Sequence, residues 1–185
     1  MANICNFSMF VRGKVENINR FYDAMCQKGN IYMGRGADAE INIYRSLDKE
    51  YGSAHIDGWC KWSVQSALIS NAIDMRNNPT RWYWGENTDP SKLEFITLFE
   101  ACKKWSIDME VYSEEPGCCF QEHYTVVNGD VICDECVEWN EYYLDDFSSK
   151  EEAEAELGIE ITDEEWERKD EYISRGGFEN WDFDI

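Results

Sequence analysis

The chain has only two histidines, His55 and His123, among its 185 residues. Few acid–base schemes can be written with so few imidazoles, because histidine is the side chain that titrates near neutral pH. No apolar run approaches the ~20 residues of a membrane span. Residues 1–10 also lack the basic and then apolar pattern of a secretory signal. We therefore expect a cytoplasmic protein without a membrane partner, whose eight cysteines are mostly reduced.

Basic residues are nearly missing from the C-terminal part of the chain. Residues 1–107 carry 12 acidic and 13 basic side chains, whereas residues 108–185 carry 26 acidic and four basic ones. The net charge is therefore +1 in the first part and −22 in the second. Such a field repels nucleic acid and anionic membranes and attracts basic surfaces. We expect a basic protein as partner and no direct binding of nucleic acid.

Two segments resemble nucleotide or nucleic-acid sites only superficially. Residues 33–37 hold two glycines but no Gly-Lys-Ser/Thr, so we interpret them as an ordinary loop. The adjacent aromatics Trp82, Tyr83 and Trp84 lack the basic flanks of a base-stacking platform. We expect them to pack in a core or a lid.

Hydrophobic periodicity predicts an α+β domain. We predict strands at 4–13, at 41–47, within 54–68 and at 107–113, and helices at 14–28 and from Asp89-Pro90 to Lys104. The second helix rests on Asp89 as N-cap and Pro90 at the first helical position. The resulting order predicts a ferredoxin-like βαββαβ core, covered by helices on one face of the sheet.

Asn128-Gly129 predicts a β-hairpin, because a type I′ turn needs positive φ at both central residues. A two-residue loop sets Val126 opposite Val131, and a regular register would then set Glu122 opposite Glu135 on the core face. Two carboxylates do not share a buried site cheaply. We therefore favour a β-bulge or plain exposure there over a proton-sharing or cation site. The hairpin extends the predicted core by two strands.

A short acidic helical extension, residues 147–185, is predicted to follow a domain of residues 1–146. Ser148 with Glu151 and Thr162 with Glu165 each form a capping box. The two helices are predicted to end at Gly158 and near 176–177. Aromatic residues near the end of the chain are predicted to tie it back or to anchor a partner; they are Phe178, Trp181 and Phe183.

Cysteines and one histidine near the hairpin offer a possible zinc site. The candidate ligands are Cys118, Cys119, His123, Cys133 and Cys136. On a regular strand, however, Cys133 and Cys136 point to opposite faces, and no second C-x-x-C is present. His123 opposite Asp134, with Cys136 or Cys119 as nucleophile, also suggests a catalytic arrangement, but nothing supplies an oxyanion hole. We therefore predict a non-enzymatic protein without a cofactor and keep the zinc site as the alternative.

The acidic runs lie on predicted strands and capped helices and are interleaved with aromatics. Carboxylates held on rigid elements can imitate a phosphate backbone for a protein that grips nucleic acid through Lys and Arg. The other interpretation is a solvated face. The candidate partner-binding residues are Asp134, Glu135, Glu138, Trp139, Glu141, Tyr143, Asp145, Asp146, Glu151, Glu152, Glu154, Glu156, Asp163, Glu164, Glu165 and Trp166.

Three segments carry a resemblance: MANICNFSMFVRG, WCKWSVQSAL and EVYSEEPGCCFQEHYTVVNGDVICDECVEWNEYY. They resemble small proteins of phages and bacterial mobile elements that have a ferredoxin-like N-terminal part. In size and charge the chain is similar to acidic anti-CRISPR proteins that inhibit Cas9. The resemblance implies an inhibitor that binds Cas9 with its guide RNA and obstructs DNA binding or cleavage, and it transfers no active-site residues. An acidic adaptor for another basic host protein would have the same sequence features.

Overall fold

The computed structural model describes residues 3–45, 50–81, 88–179, 181–183 and 185. In this part of the chain the strands are β1 (Ile4–Lys14), β2 (Ile31–Tyr32), β3 (Asp38–Arg45), β4 (Tyr51–Lys61), β5 (Glu94–Phe95), β6 (Asp108–Glu115), β7 (Phe120–Val127), β8 (Asp130–Tyr143) and β9 (Tyr172–Gly176). The helices are α1 (Val15–Met25), α2 (Asn71–Asn77), α3 (Leu98–Trp105), α4 (Lys150–Leu157) and α5 (Asp163–Glu167). A π-helical turn, Gln65–Ser70, runs directly into α2. The predicted α+β class is confirmed.

Seven of these strands form one antiparallel sheet in the order β3-β4-β1-β6-β7-β8-β9. Strands β2 and β5 form a separate parallel pair. No helix in the described ranges is both long and apolar enough to cross a membrane. The predicted aromatic cluster at 82–84 and the end of the strand predicted at 41–47 lie outside the described residues.

One face of the sheet forms the main hydrophobic core. Alternate residues of β1 point to this face and are buried, from Cys5 to Val11. Helix α1 packs against them through Ile18 and Phe21, which are fully buried. The period of two along the strand and of about 3.6 along the helix place both apolar sets at one interface. The main core is therefore built mostly from the N-terminal part of the chain.

The opposite face of the sheet is covered by the end of the chain. The ring of Phe183 lies 5.4 Å from that of His55 on β4, and the ring of Trp181 stacks on Tyr112 of β6 at 5.8 Å. The Tyr112 hydroxyl also donates a hydrogen bond to the backbone oxygen of Asp182 at 3.1 Å. The expectation that the terminal aromatics tie the chain back is confirmed.

The Asn128-Gly129 hairpin is confirmed, with φ of +54° and +82° at its two turn residues. Val126 pairs with Val131 as predicted. A β-bulge follows at once, because Thr125 pairs with Cys133 and leaves Ile132 as the extra residue. The predicted clash of Glu122 with Glu135 is thereby avoided, and the predicted pairing of His123 with Asp134 is wrong by one residue.

Two element predictions in the middle of the chain are only partly correct: the strand predicted within 54–68 is present as β4 and the end of the helix predicted up to Lys104 as α3, but their extents differ. Strand β4 ends at Lys61, and Trp62 has a φ of +75° that stops the extended conformation before the helical segment 65–77 begins. The helix predicted from Asp89 is instead a 3-10 turn, Pro90–Lys92, whose cap Asp89 accepts a hydrogen bond from the Ser91 amide. Helix α3 begins later, where Thr97 and Glu100 form a capping box.

The C-terminal part is not wholly helical. Helix α4 is capped by Ser149 rather than Ser148, and α5 begins at the predicted Thr162–Glu165 capping box but ends at Glu167. Residues 172–176 form β9, which adds to β8. A second hydrophobic cluster holds these elements together through Leu144, Ala153, Ile161 and Ile173.

An ion pair links α5 to β9 and predicts a pH dependence. Both terminal guanidinium nitrogens of Arg175 donate to Glu165 at 2.9 Å, and these bonds, with those from Thr162, lower the pKa of Glu165 from 4.5 to about 2. The pair therefore stabilises the fold fully above the unfolded pKa, and this contribution is lost as pH falls towards the folded pKa.

Glu165→Gln should therefore lower the free energy of unfolding more at about pH 6 than at about pH 3. Urea unfolding at both pH values measures the difference. Glu167→Gln, on the exposed side of the same helix, removes one charge and keeps the Arg175 contact. A wild-type–E165Q difference that stays constant with pH would contradict the prediction.

Candidate functional site

A cluster of polar side chains lies on the face of the sheet opposite the main core, where β6, β7 and β8 run side by side. Register sets His123 of β7 between Tyr112 of β6 and Glu135 of β8. The bulge at Ile132 places Cys133 on this same face, next to His123. We call Glu110, His123, Cys133 and Glu135 the His123 cluster.

Both ring nitrogens of His123 have partners. Nε2 lies 2.8 Å from Oε1 of Glu110 and 3.2 Å from Oγ1 of Thr125, whereas Nδ1 lies 3.4 Å from Sγ of Cys133. The Glu110 side chain is only 4% exposed and that of His123 15%. A buried carboxylate beside Nε2 favours a proton on that nitrogen, so the lone pair of the neutral ring lies on Nδ1, towards Cys133.

Aromatic contacts fix the plane of the His123 ring. Tyr112 stacks on it with ring centres 4.0 Å apart and an angle of 4° between the planes. Phe178, from the end of the chain, meets the ring edge-on at 5.6 Å. The ring is therefore held between two strands and the C-terminal segment, with Nδ1 directed at β8.

The electrostatic environment of the cluster disfavours a thiolate nucleophile. Burial, followed by the carboxylates of Glu135, Glu110 and Asp134, raises the pKa of the Cys133 thiol. A catalytic cysteine needs the opposite, an electropositive setting that lowers its pKa. The same negative surroundings favour a bound cation.

The five predicted zinc ligands are only partly brought together. Among the described residues, the group that could hold a metal ion is His123, Cys133 and Glu135, whose ligand atoms lie within 4.8 Å of one another. Cys136 pairs with Glu122 on the other face of the sheet. Cys118 and Cys119 lie in the turn between β6 and β7, where Cys118 accepts a hydrogen bond from the side chain of Asn3. Glu110, on β6, and Glu135, on β8, were not predicted as members; Glu135 joins the cluster because the bulge decides which residues of β8 lie on this face.

A second candidate site is the surface formed by β8, α4 and α5, which we call the acidic surface. Most of its predicted residues are exposed: Asp134, Glu135, Glu138, Tyr143, Asp145, Asp146, Glu151, Glu152, Glu156, Asp163 and Glu164. Tyr143 pairs across the strands with Tyr172, with ring centres 6.2 Å apart, and both are more than half exposed. The surface therefore combines carboxylates with one exposed aromatic pair.

Several of the predicted partner-binding residues have structural contacts. Trp139 is 7% exposed, so we remove it from the set of contact residues. Glu154 accepts a hydrogen bond from the Ile161 amide, and Glu152 one from the Ser148 amide. Glu141, Glu165 and Trp166 are half-buried. Apart from the exposed Glu152, these residues shape the surface rather than extend from it.

The four basic residues of this part each face a specific neighbour. Lys150 pairs with Asp163 at 2.8 Å, Arg168 with Glu171 at 3.8 Å, and Arg175 with Glu165. Lys169 lies over the ring of Trp166, 5.1 Å from its centre. Because this part of the chain has 26 acidic residues and only four basic ones, and Arg12 pairs with Asp108, most of its negative charge is uncompensated.

Glu122 has a structural role that the sequence did not suggest. Its carboxylate is buried on the core face and accepts hydrogen bonds from the amides of Val64 and Gln65, where the helical segment 65–77 begins. The hydroxyls of Ser113 and Tyr124 donate to the same carboxylate. Negative charge is favourable at a helix N-terminus, so Glu122 joins this helix to the sheet.

Comparison of the chain with family models gives no match, and comparisons with curated proteins and with solved structures give none either. The resemblance to proteins of phages and mobile elements stays a prediction. Function is therefore argued from the acidic surface and the His123 cluster.

Proposed function

We propose that this protein is a non-enzymatic inhibitor of the anti-CRISPR type. It binds a basic nucleic-acid-handling protein in the bacterial cytoplasm, Cas9 with its guide RNA foremost, and obstructs DNA binding or cleavage. The observation that carries the proposal is the acidic surface, where most of the exposed carboxylates on ordered strands and helices have no basic partner among the described residues.

The physical basis is competition for cations that otherwise bind phosphates. Cas9 holds nucleic acid in a positively charged channel and reads the PAM through arginines. The carboxylates lie on the ordered backbone of β8, α4 and α5, so less backbone entropy is lost on association. The acidic surface can therefore occupy such a channel as a DNA mimic. The exposed pair Tyr143 and Tyr172 adds an apolar contact of the kind enriched at interfaces.

We also infer that the N-terminal part has a ferredoxin-like core. The order β3-β4-β1-β6 supports this, with β1 antiparallel to both of its neighbours. Helix α1 connects β1 to the β3–β4 hairpin, and helices connect β4 to β6, which is the βαββαβ order. The second hydrophobic cluster supports a division into residues 1–146 and 147–185, with Ala153, Ile161 and Ile173 of the extension packed on Leu144 of the domain.

The test is a pull-down of guide-loaded Cas9 by the tagged protein at low salt and at about 0.5 M salt, with competition by target DNA. We expect binding that survives moderate salt and that prevents DNA from binding. Reversing four exposed charges, at Asp134, Glu138, Asp146 and Glu156, to lysine should weaken binding on the order of a hundredfold.

A matched control separates location from total charge. Reversing Glu16, Glu40, Glu50 and Asp89, which are also exposed but lie outside the acidic surface, gives the same net charge of −13, from −21 with +2 for each reversal. We expect this variant to bind within a fewfold of wild type. Equal weakening by both sets would contradict a defined acidic interface, and no binding at either salt would exclude Cas9 and leave another basic protein as the partner to seek.

A further inference from the structure

The His123 cluster combines a thiol, an imidazole and two carboxylates on one face of the sheet. We propose that His123 Nδ1, Cys133 Sγ and the Glu135 carboxylate bind a Zn²⁺ ion, leaving a fourth position for water. This site shares Glu135 with the acidic surface, but the proposal does not depend on the proposed Cas9-binding role.

The distances between the ligand atoms fit a tetrahedral ion. Zinc bonds of about 2.3 Å to sulfur and about 2.0 Å to nitrogen, at a tetrahedral angle, place the two ligand atoms about 3.5 Å apart. The observed distance from Cys133 Sγ to His123 Nδ1 is 3.4 Å. Glu135 is exposed, and its carboxylate lies within 4.8 Å of both atoms, so a side-chain rotation completes the set.

Glu110 supplies the outer contact that metal-binding histidines need. Such a histidine commonly donates its other ring N–H to a carboxylate, which fixes the tautomer and raises the basicity of the ligating nitrogen. Glu110 lies 2.8 Å from Nε2 and is itself buried. It is therefore a positioning residue, and its removal should weaken the site without removing a ligand.

The ligand set selects zinc over the hard cations. Thiolate and imidazole suit Zn²⁺, whereas Mg²⁺ and Ca²⁺ take oxygen ligands. The bulge at Ile132 is what brings the set together, because it places Cys133 and Glu135 on the face that carries His123. Bulges commonly redirect side chains in this way at functional sites.

The test is titration of the reduced, metal-free full-length protein with Co²⁺ as a spectroscopic probe, in excess Mg²⁺ to saturate the other carboxylates. We expect binding of one equivalent, with tetrahedral d–d absorption and a thiolate-to-cobalt charge-transfer band, and displacement by Zn²⁺. Cys133→Ser should remove the charge-transfer band, and Glu135→Gln, at an exposed position, should weaken binding at least about tenfold.

Controls distinguish the site from other thiols and from misfolding. Cys136→Ser, on the same strand but the opposite face, should leave the titration unchanged. Glu110→Gln should keep the charge-transfer band and weaken binding about 10–100-fold. Far-UV circular dichroism checks the fold of each variant. Absence of stoichiometric Co²⁺ binding, or a band that persists in C133S and is lost in C136S, would overturn the proposal.

Discussion

Replacing Glu122 by alanine is expected to lower the free energy of unfolding by about 3–5 kcal/mol. The carboxylate is 3% exposed and accepts four hydrogen bonds, at 2.8 Å from Val64, 3.2 Å from Gln65, 2.7 Å from Ser113 and 3.0 Å from Tyr124. The two hydroxyls can rotate to other acceptors. The two amides cannot, because the start of the helical segment 65–77 holds them, and unsatisfied buried donors cost about 1–3 kcal/mol each.

Urea unfolding followed by tryptophan fluorescence measures this effect. Glu122→Gln keeps the size of the side chain and one acceptor oxygen but turns an amide group towards donors, so we expect a smaller loss of about 2 kcal/mol. Glu138→Gln, an exposed position on the neighbouring strand β8, serves as the matched control and should stay within about 0.5 kcal/mol of wild type.

Hydrogen exchange gives a residue-specific check of the same contact. The amides of Val64 and Gln65 should lose protection in E122A, whereas amides in α1 should lose it only through global unfolding. The prediction would be contradicted if the free energy of unfolding of E122A stayed within about 1 kcal/mol of wild type and both amides stayed protected. Glu122 would then not stabilise the start of the helical segment.

The elements with complete local signals were predicted correctly. The hairpin turn follows from the residue pair Asn128-Gly129 alone, and the capping box follows from Thr162 and Glu165 at a spacing of three residues. The structure contains both. Strand β1 and helix α1 also follow from their own periodicities. In each case the residues that decide the structure lie within one element or its cap.

The helical segment 65–77 was missed although its pattern is in the sequence. Its buried residues recur with helical spacing at Val64, Leu68, Ala72 and Met75. The preceding residues around Trp59 predict a strand that continues past Lys61. The strand ends because Trp62 has a positive φ, which its residue type does not predict. Its N-terminal partner, Glu122, lies 57 positions away from Gln65, so the contact follows from the tertiary fold alone.

The two candidate sites differ in how well they could be predicted from the sequence. The acidic surface follows from composition, because charge confined to one part of the chain stays together when that part folds. The His123 cluster does not, because one extra residue at Ile132 changes the partner of His123 from Asp134 to Glu135. A sequence can indicate that a bulge is needed without locating it, and a site built across strands depends on that location.

Gly34→Ala is expected to lower the free energy of unfolding by about 4 kcal/mol. Gly34 lies in the loop that the sequence marked as glycine-rich, with a φ of +55°, and a Cβ there would lie 1.8 Å from the backbone oxygen of Ala67. That oxygen accepts a hydrogen bond from the Arg35 amide at 3.0 Å, so relief of the clash must separate the loop from the π-helical turn and break this bond.

Gly29→Ala isolates the steric part of the effect. Gly29 also has a positive φ, +86°, but a Cβ there meets no atom within 4 Å. The conformational cost alone should be about 1 kcal/mol. Urea unfolding of both variants, with slopes compared to confirm an unchanged unfolding transition, measures the difference. Equal destabilisation would mean that the loop does not approach Ala67. The helical segment 65–77 would then be positioned by Glu122 and the core alone.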